Sequence, residues 1–343
     1  MIALVVLGGL VAEPDAFPVP PIHKILVELQ LWTDADWERV TGPDLSQFRL
    51  DRGEAGATVG LGSDAGAEVR LETVRSAQDG GVLGIAGDSL VPRIKRAQVF
   101  GRYDAGPVHL EGAIGVVADP WITALEDGDT ERPLVATASE GLLGWSPSDL
   151  AALVRARLGP VRLSVSFGNG EGLSYPERNQ GKTTTAVAEV VPYVDRDLRV
   201  RVIGMARDGS IGPALVRDRR AGGGAVIESE YANAGGEIVH AWGVGDRTEA
   251  TGNAFAGWAE ARPVPFVAIA ARAAQLRLAD GGKHTTWGGA VALQPWPKQR
   301  LRLWLAFDRT TSSGSAEPVP GGDPADATTL MLLVSATAPF AYD

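Results

Sequence analysis

The residues with the clearest chemical potential are arginines that recur at every second position of short segments. In one such segment, Arg199 and Arg201 alternate with Leu198, Val200 and Val202. A guanidinium group binds carboxylate or phosphate through two parallel hydrogen bonds, so arginines along a water-filled path favour anions. The arginines that we predict to line an anion path are Arg96, Arg102, Arg155, Arg157, Arg162, Arg199, Arg201, Arg272, Arg300 and Arg302.

Acidic residues occupy the same faces as these arginines. They are Glu68, Glu72, Glu111, Glu189, Glu228 and Glu230. Opposite charges on neighbouring strands attract each other and stabilise a sheet. Two roles for the arginines therefore stay open, an anion path and structural pairing with the carboxylates, and the anion preference that we predict is modest.

Two segments resemble enzyme signatures but lack residues that the chemistry requires. The run Gly181-Lys182-Thr183 ends like a phosphate-binding loop, but Pro176 stands where the first glycine must be. Segment 87–91 (GDSLV) lacks the final glycine of a nucleophile elbow. With no cysteine and four histidines isolated in sequence, we predict no enzymatic activity, no metal site and no cofactor. A catalytic site assembled across neighbouring strands stays an alternative.

The arginines belong to segments in which apolar and polar residues alternate along nearly the whole chain. Leu110 and Ile114, for example, fall on one face of their segment, and His109 and Glu111 fall on the other. Side chains of a strand point alternately to its two faces, so each segment is a half-buried strand. Strands of roughly ten to twelve residues are longer than the strands of soluble β-sandwiches, and they are long enough to cross a bilayer at a tilt. We predict strands at 22–32, 47–61, 67–77, 93–104, 108–118, 150–158, 161–170, 182–194, 198–207, 220–231, 236–245, 252–261, 266–278, 284–295, 300–310 and 328–339.

The connections between these strands alternate in length. Tight turns such as Gly159-Pro160 and Asp195-Arg196 are built from residues that end strands, and longer polar loops lie between them. This pattern predicts an all-β, transmembrane, up-and-down antiparallel β-barrel of about 16 strands, with 14 to 18 as the range. Residues 22–343 form its single domain, because no linker or shift in composition divides them. The short turns would face the periplasm.

The composition excludes two other classes of protein. The sequence has no run of about twenty apolar residues, so a helical membrane protein is excluded. A net charge of -10 argues against nucleic acid as a partner. The partners that we predict are membrane lipid, lipopolysaccharide and small hydrophilic or anionic solutes.

The first residues of the chain have a composition of their own. Segment 1–12 (MIALVVLGGLVA) is apolar but too short to span a bilayer, and it resembles the apolar part of a secretory signal peptide. No lysine or arginine precedes the apolar run, so either the true start lies upstream of Met1 or the segment is a buried strand. A proline-rich segment, 13–21, follows.

The third long loop, 119–149, has about thirty residues. A loop of this length in a compact domain is usually functional or disordered. We predict that it narrows a pore, and a solvated acidic surface loop is the alternative interpretation. The residues that we assign to the constriction are Asp119, Trp121, Glu126, Asp127, Asp129, Glu131 and Arg132.

The order of strands, tight turns and long loops along the chain resembles that of the outer-membrane porins. Three short sequence segments are similar to the phosphate-selective porin family: 167–172 (FGNGEG), 179–182 (NQGK) and 93–97 (RIKRA). The resemblance implies a trimeric pore of sixteen strands, an anion path lined by arginine and lysine, and a loop after the fifth strand that folds into the lumen. Lysine is scarce in this chain, which departs from the phosphate-selective pattern.

These observations together predict a porin-like channel of the bacterial outer membrane. Small hydrophilic solutes would cross it by passive diffusion, with a modest anion preference. Two alternatives stay open: a structural or adhesive outer-membrane barrel that does not conduct, and a soluble secreted β-protein.

Overall fold

A computed structural model describes residues 22–40, 45–76, 89–126, 137–170, 172, 180–195, 197–211, 215–244, 247–296, 301–313 and 326–342. The predicted segments 1–12 and 13–21 lie outside this part of the chain. The described residues form sixteen strands and two short helices. The strands are β1 (Ile22–Val40), β2 (Leu45–Leu61), β3 (Ala65–Ser76), β4 (Ser89–Ala105), β5 (Val108–Ala118), β6 (Ser148–Leu158), β7 (Val161–Gly168), β8 (Thr183–Val194), β9 (Leu198–Ile211), β10 (Val216–Ser229), β11 (Ala232–Val244), β12 (Arg247–Val264), β13 (Val267–Leu278), β14 (Lys283–Trp296), β15 (Leu301–Ser313) and β16 (Asp326–Tyr342).

The strands form one closed antiparallel barrel in which each strand pairs with its neighbours in sequence. Closure is made by β1 and β16, which pair from Ile25 opposite Tyr342 to Val40 opposite Ala327. A closed ladder leaves no unpaired sheet edge, which is the condition for a sheet to cross a bilayer. The predicted all-β barrel and its count of sixteen strands are confirmed.

The two faces of the barrel wall differ as the alternation predicts. In β5, Ile114 on the outer face is 61% exposed, whereas Val117 on the inner face is 1% exposed. Bulky apolar side chains cover the outer face of β15 as well, where Leu303, Leu305 and Phe307 are exposed. An outward apolar band of this kind is what lipid requires of a membrane barrel.

The two rims of the barrel carry different connections. The turn at 159–160 joins β6 to β7 at one rim, and Gly159 adopts the left-handed backbone that such a turn needs (φ 53°). The other rim carries the long connection 119–147 between β5 and β6. On the same rim, connections 212–215, 245–246 and 279–282 are short, so the predicted alternation of tight turns and long loops does not hold between β9 and β14.

The sequence predicts a long loop at 33–46, between the strands predicted at 22–32 and 47–61, and this prediction is wrong. Residues 33–40 continue β1 and residues 45–46 begin β2, so the connection is only 41–44. Asp34, Asp36 and Glu38 make this stretch read as a polar loop. Residues 33–40 nevertheless pair with β16, from Thr33 opposite Val334 to Val40 opposite Ala327, because hydrogen bonding in the ladder does not require apolar side chains.

Two short helices lie in the connection between β5 and β6. They are α1 (Pro120–Glu126) and α2 (Ala138–Gly141), and both pack on the inner face of the barrel. Within the described residues, no helix is long and apolar enough to cross a membrane.

Candidate functional site

The loop that enters the barrel begins with a capped helix. The carboxylate of Asp119 accepts hydrogen bonds from the backbone N–H groups of Trp121 and Ile122, at 2.9 Å and 3.2 Å. These bonds satisfy N–H groups that the first turn of α1 leaves without a partner. Burial raises the pKa of Asp119 above its ordinary value, while the charge of Arg207 and the hydrogen bonds act in the opposite direction.

Apolar side chains attach this helix to the inner wall. Trp121 and Leu125 are fully buried and belong to one cluster with Ile203 of β9, Val226 of β10 and Val239 of β11. Burying a side chain of this size contributes roughly 1.5 to 3 kcal/mol relative to leaving it in water. The inner face of the wall from β8 to β13 therefore carries a cluster of apolar side chains, and we call this part of the wall the docking sector.

The last part of the loop is held by a buried set of charges around Trp145. The guanidinium groups of Arg207 and Arg220 lie 4.7 Å and 4.8 Å from the centre of its ring. Asp218 accepts a 2.7 Å hydrogen bond from the Nε atom of each arginine. The indole N–H of Trp145 donates to Asp119 at 3.0 Å, so the two ends of the loop are joined to each other and to the wall. We call Asp119, Trp145, Arg207, Asp218 and Arg220 the latch.

The middle of the loop is held by Glu237 of β11. Its carboxylate accepts hydrogen bonds from the backbone N–H of Ala138 and from the hydroxyl of Ser139, the latter at 2.9 Å. Ser139 in turn accepts from the indole N–H of Trp121 at 2.9 Å. At the end of α1, Arg201 donates to the carbonyl of Ala124 at 2.6 Å, which places a positive charge where the helix dipole favours it.

The lumen on the other side of α1 contains a cavity of about 620 Å³. Its wall comes from β4 to β8, next to the turns at 106–107 and 159–160, and α1 covers it with Pro120, Thr123 and Ala124. Five arginines and three carboxylates line it, so its wall carries an excess of positive charge. We call this cavity the arginine chamber, and its charged residues are Arg96, Arg102, Arg155, Arg157, Arg162, Asp104, Glu111 and Glu189.

Most arginines of the chamber are paired with carboxylates. Glu111 lies 2.8 Å from Arg155 and 3.5 Å from Arg102. Arg162 lies 3.6 Å from Glu189. These pairs support the structural interpretation of the lumen arginines.

Arg157 differs from the other arginines of the chamber. It is exposed to the cavity, and within the described residues it forms no ion pair. Its direct partners on the neighbouring strands are His109 of β5 and Arg162 of β7. Arg157 therefore presents its positive charge to the cavity with no carboxylate paired to it among the described residues.

The other predicted pore residues fall in several places. Arg96 lies 3.5 Å from Glu68 at the edge of the chamber, and Arg199 lies 3.6 Å from Glu228. Arg272 donates two hydrogen bonds to Asp308.

Arg201 faces the lumen but is completely buried under α1, where Glu189 and Glu228 pair with it. It therefore holds the helix and is not accessible to a solute. Arg300, Asp127, Asp129, Glu131 and Arg132, and the side chains of Arg302 and Glu126, lie outside the described part of the chain.

Sequence reasoning selected Asp119, Trp121 and Arg201 but missed the other residues that hold the loop. Arg207, Asp218, Arg220 and Glu237 make its polar contacts, and Trp145 lies among them. A signal was present in β9, where Ile203 and Met205 share a face with Arg199, Arg201 and Arg207. Apolar residues on the water-facing side of a strand indicate that something packs there.

Solved structures of similar fold cover nearly the whole chain. The anion-selective porin of Comamonas acidovorans matches with a TM-score of 0.62 and 10% identity, over 93% of this chain and 100% of the other. The outer membrane channel DcaP of Acinetobacter baumannii matches with a TM-score of 0.61 and 11% identity, over 92% and 97%. The fold is that of the outer-membrane porins. OprB of Pseudomonas putida has a similar match, with a TM-score of 0.61 and 9% identity over 92% and 94%.

The similarity is one of fold. No protein-family model and no curated protein matches the sequence. At these identities the neighbours support a porin fold in general, and they do not single out the phosphate-selective family.

Proposed function

We propose that this chain forms a pore in the bacterial outer membrane through which small hydrophilic solutes diffuse, with a modest preference for anions. The observation that carries the proposal is the arginine chamber, in which five arginines meet three carboxylates and Arg157 has no ion-pair partner among the described residues. One solved neighbour is named an anion-selective porin, which supports the same class of transport.

The loop between β5 and β6 has a defined part in this proposal. It occupies the docking sector and covers the arginine chamber with α1. Solutes would therefore pass along the wall from β4 to β8, where the charged side chains lie. The size limit is then set by the loop, and the charge preference is set by the wall.

The proposal includes the processing and assembly of the chain. Segment 1–12 would act as the apolar part of a signal peptide, and residues 22–343 would form the barrel. A homotrimer is the proposed assembly, since one solved neighbour of similar fold, OmpT of Vibrio cholerae, is described in a trimer form, with a TM-score of 0.60. No catalytic activity is proposed.

The test is ion selectivity in a planar bilayer. The full protein is reconstituted between unequal KCl solutions, and the reversal potential is expected to show a chloride preference. Arg157→Glu should shift the preference towards potassium by up to about fivefold per charge changed, since a unit charge at 4 Å is worth about 1 kcal/mol in water. Arg217→Glu is the control, because Arg217 lies on the outer face and pairs with Asp208.

Two outcomes would contradict the proposal. A folded sample without conductance would favour the structural or adhesive barrel. A strong cation preference of the unchanged protein would leave the pore in place and overturn the anion preference.

A further inference from the structure

A second cavity lies in the lumen, at the rim that carries the turn 159–160. It has a volume of about 750 Å³ and lies between that turn and the ends of β8 and β9. Arg157, Arg162 and Glu189 line both this cavity and the arginine chamber, so the two spaces adjoin. We call the second space the mouth cavity.

The mouth cavity carries an excess of positive charge. Among the described residues, Arg157, Arg162 and Arg199 line it together with one carboxylate, that of Glu189. Glu189 is almost fully buried and is shared between arginines, at 3.6 Å from Arg162 and 4.0 Å from Arg199. Arg199 also lies 3.6 Å from Glu228, which is not part of the lining. One shared carboxylate does not neutralise three guanidinium groups.

A β-bulge brings apolar side chains to the same cavity. The register of β8 against β9 shifts after Val190, where two residues of β8 lie opposite one of β9. The bulge contains Pro192, which cannot donate a hydrogen bond to a ladder and is tolerated at such a position. The extra residue reverses the alternation, so Val194 lies opposite Arg199 and on its lumen face. Val194 is 68% exposed, and it lines the mouth cavity with Val191.

The turn between β6 and β7 completes this apolar surface. The carbonyl of Pro160 accepts a hydrogen bond from the backbone N–H of Val191 at 2.9 Å, which holds the turn against β8. Pro160, Val191 and Val194 therefore lie side by side along the cavity, next to the arginines. Binding pockets commonly combine an apolar surface with a few polar groups that fix the orientation of the ligand.

We propose that the mouth cavity binds organic anions in which a carboxylate is joined to a short hydrocarbon group. The carboxylate lies among Arg157, Arg162 and Arg199, because guanidinium groups bind carboxylates through parallel hydrogen bonds. The hydrocarbon group lies against Val191 and Val194. Chloride and inorganic phosphate have no apolar part and gain nothing from the valines. The inference deepens the proposed anion preference and rests on it, since it names the class of solute that the pore would favour.

The test is binding of a hexanoate with a terminal trifluoromethyl group to the full, refolded protein in detergent, followed by fluorine NMR. Trifluoroacetate, which has the same charge and no hydrocarbon chain, is the comparison probe. The hexanoate probe should bind about tenfold more tightly than trifluoroacetate, which corresponds to burial of about two methylene groups. Micelles without protein give the signal from detergent partition, which is subtracted.

Two double variants separate the mouth cavity from the outer surface. Val191→Thr with Val194→Thr keeps the shape of the side chains and makes the surface polar, so the preference for the hexanoate probe should fall below about threefold. The matched control is Val190→Thr with Val202→Thr, on the outer face of the same two strands, where the valines are direct partners. This control should keep the preference of about tenfold.

A charge variant tests the other side of the cavity. Arg157→Gln should weaken the binding of both probes by the same factor, up to about fivefold, because both carry one carboxylate. A loss confined to the hexanoate probe would contradict the assigned role of the arginines.

The remaining outcomes distinguish the binding site from the pore. Equal affinity of the unchanged protein for the two probes, or an equal loss in the two valine variants, would overturn the proposal. Heat-modifiable migration in gel electrophoresis verifies that each variant is folded. Conductance is measured on the same preparation. A folded protein that binds the hexanoate probe without conducting would contradict the proposed pore and support the site, whereas conductance without a preference for this probe would contradict the site alone.

Discussion

Arg157 and Arg162 are direct partners across the hairpin of β6 and β7, and both side chains line the same chamber. Two like charges in this position repel each other, and only Arg162 has a carboxylate, Glu189, near it. The hairpin therefore maintains a positive potential at the wall. The chamber is an open cavity lined by both side chains, so in the proposed pore a solute would meet this potential.

The carboxylate of Glu111 controls how much of this potential is neutralised. It lies within ion-pair distance of Arg102 and Arg155, so Glu111→Gln should leave two more arginines uncompensated. We expect the chloride preference to rise by up to about fivefold, measured as the reversal potential in a KCl gradient. Asp208→Asn, on the outer face, should leave the reversal potential unchanged. A fall in chloride preference in Glu111→Gln would be incompatible with an anion path through the chamber.

The latch should hold the loop against the docking sector. Trp145→Ala removes the ring between Arg207 and Arg220 together with the hydrogen bond to Asp119. Truncating a buried tryptophan typically costs about 3 to 5 kcal/mol, so the loop should leave the wall for part of the time. Single-channel recordings should then contain larger and noisier conductance levels. Trp242→Ala on the outer face is the control, and identical recordings from both variants would mean that the latch does not hold the loop.

Asp119 should give the docked loop a pH dependence. Burial raises its pKa in the folded state above the ordinary value of 3.8, so the folded protein holds this proton more tightly than the unfolded chain does. Its contribution to stability is therefore fully present below the ordinary pKa and is lost as the pH rises through the folded-state pKa.

The measurement is the free energy of unfolding of the wild type and of Asp119→Asn, followed by tryptophan fluorescence at a series of pH values. The free energy of unfolding of the wild type should increase relative to that of Asp119→Asn as the pH falls towards 4. Asparagine keeps an oxygen that can accept from Trp121 and Ile122 but does not titrate, so other groups cancel in the comparison. A difference that is constant with pH would show that the raised pKa is wrong.

A glycine in β5 should be indispensable. Gly115 has a φ of 127°, and a Cβ atom there would lie 2.2 Å from the carbonyl oxygen of Ala97 on β4. Gly115→Ala should therefore destabilise the barrel by at least about 1 to 3 kcal/mol, the cost of a strained backbone, plus the clash. Gly112→Ala is a control in the same strand, because a Cβ atom at Gly112 meets nothing within 4 Å. The yield of heat-modifiable, folded barrel after refolding distinguishes the two variants.

Much of the fold could be predicted because its main signal is periodic. The alternation of apolar and polar residues specifies which face of a strand meets lipid, as it does around Leu110 and Ile114 and in β9 and β15. The count of strands follows from the turns between them. The extension of β1 beyond residue 32 was missed because Asp34, Asp36 and Glu38 resemble a polar loop, although they alternate with Ala35 and Trp37 as in a strand.

The site was harder to predict than the wall. The arginines of the chamber were found because their spacing places them on one face, but whether each meets a carboxylate depends on neighbours far away in sequence. Arg201 and Arg157 have the same local pattern, yet one is buried under α1 and the other lines the cavity. Asp218 and Arg220 belong to a segment rich in glycine, in which the alternation is weak, so their position beside Trp145 had no sequence signal.

The described residues of the loop pack against the inner wall from β8 to β13, which separates two properties of the proposed pore that could otherwise be coupled. In the proposed pore, residues from β8 to β13 would decide how firmly the loop is held, while residues from β4 to β8 would decide which charges a solute meets. Substitutions in the latch should therefore change the width of the pore, and substitutions at Arg157 and Glu111 should change its ion preference. In the engineering of a nanopore, the two properties could be adjusted independently.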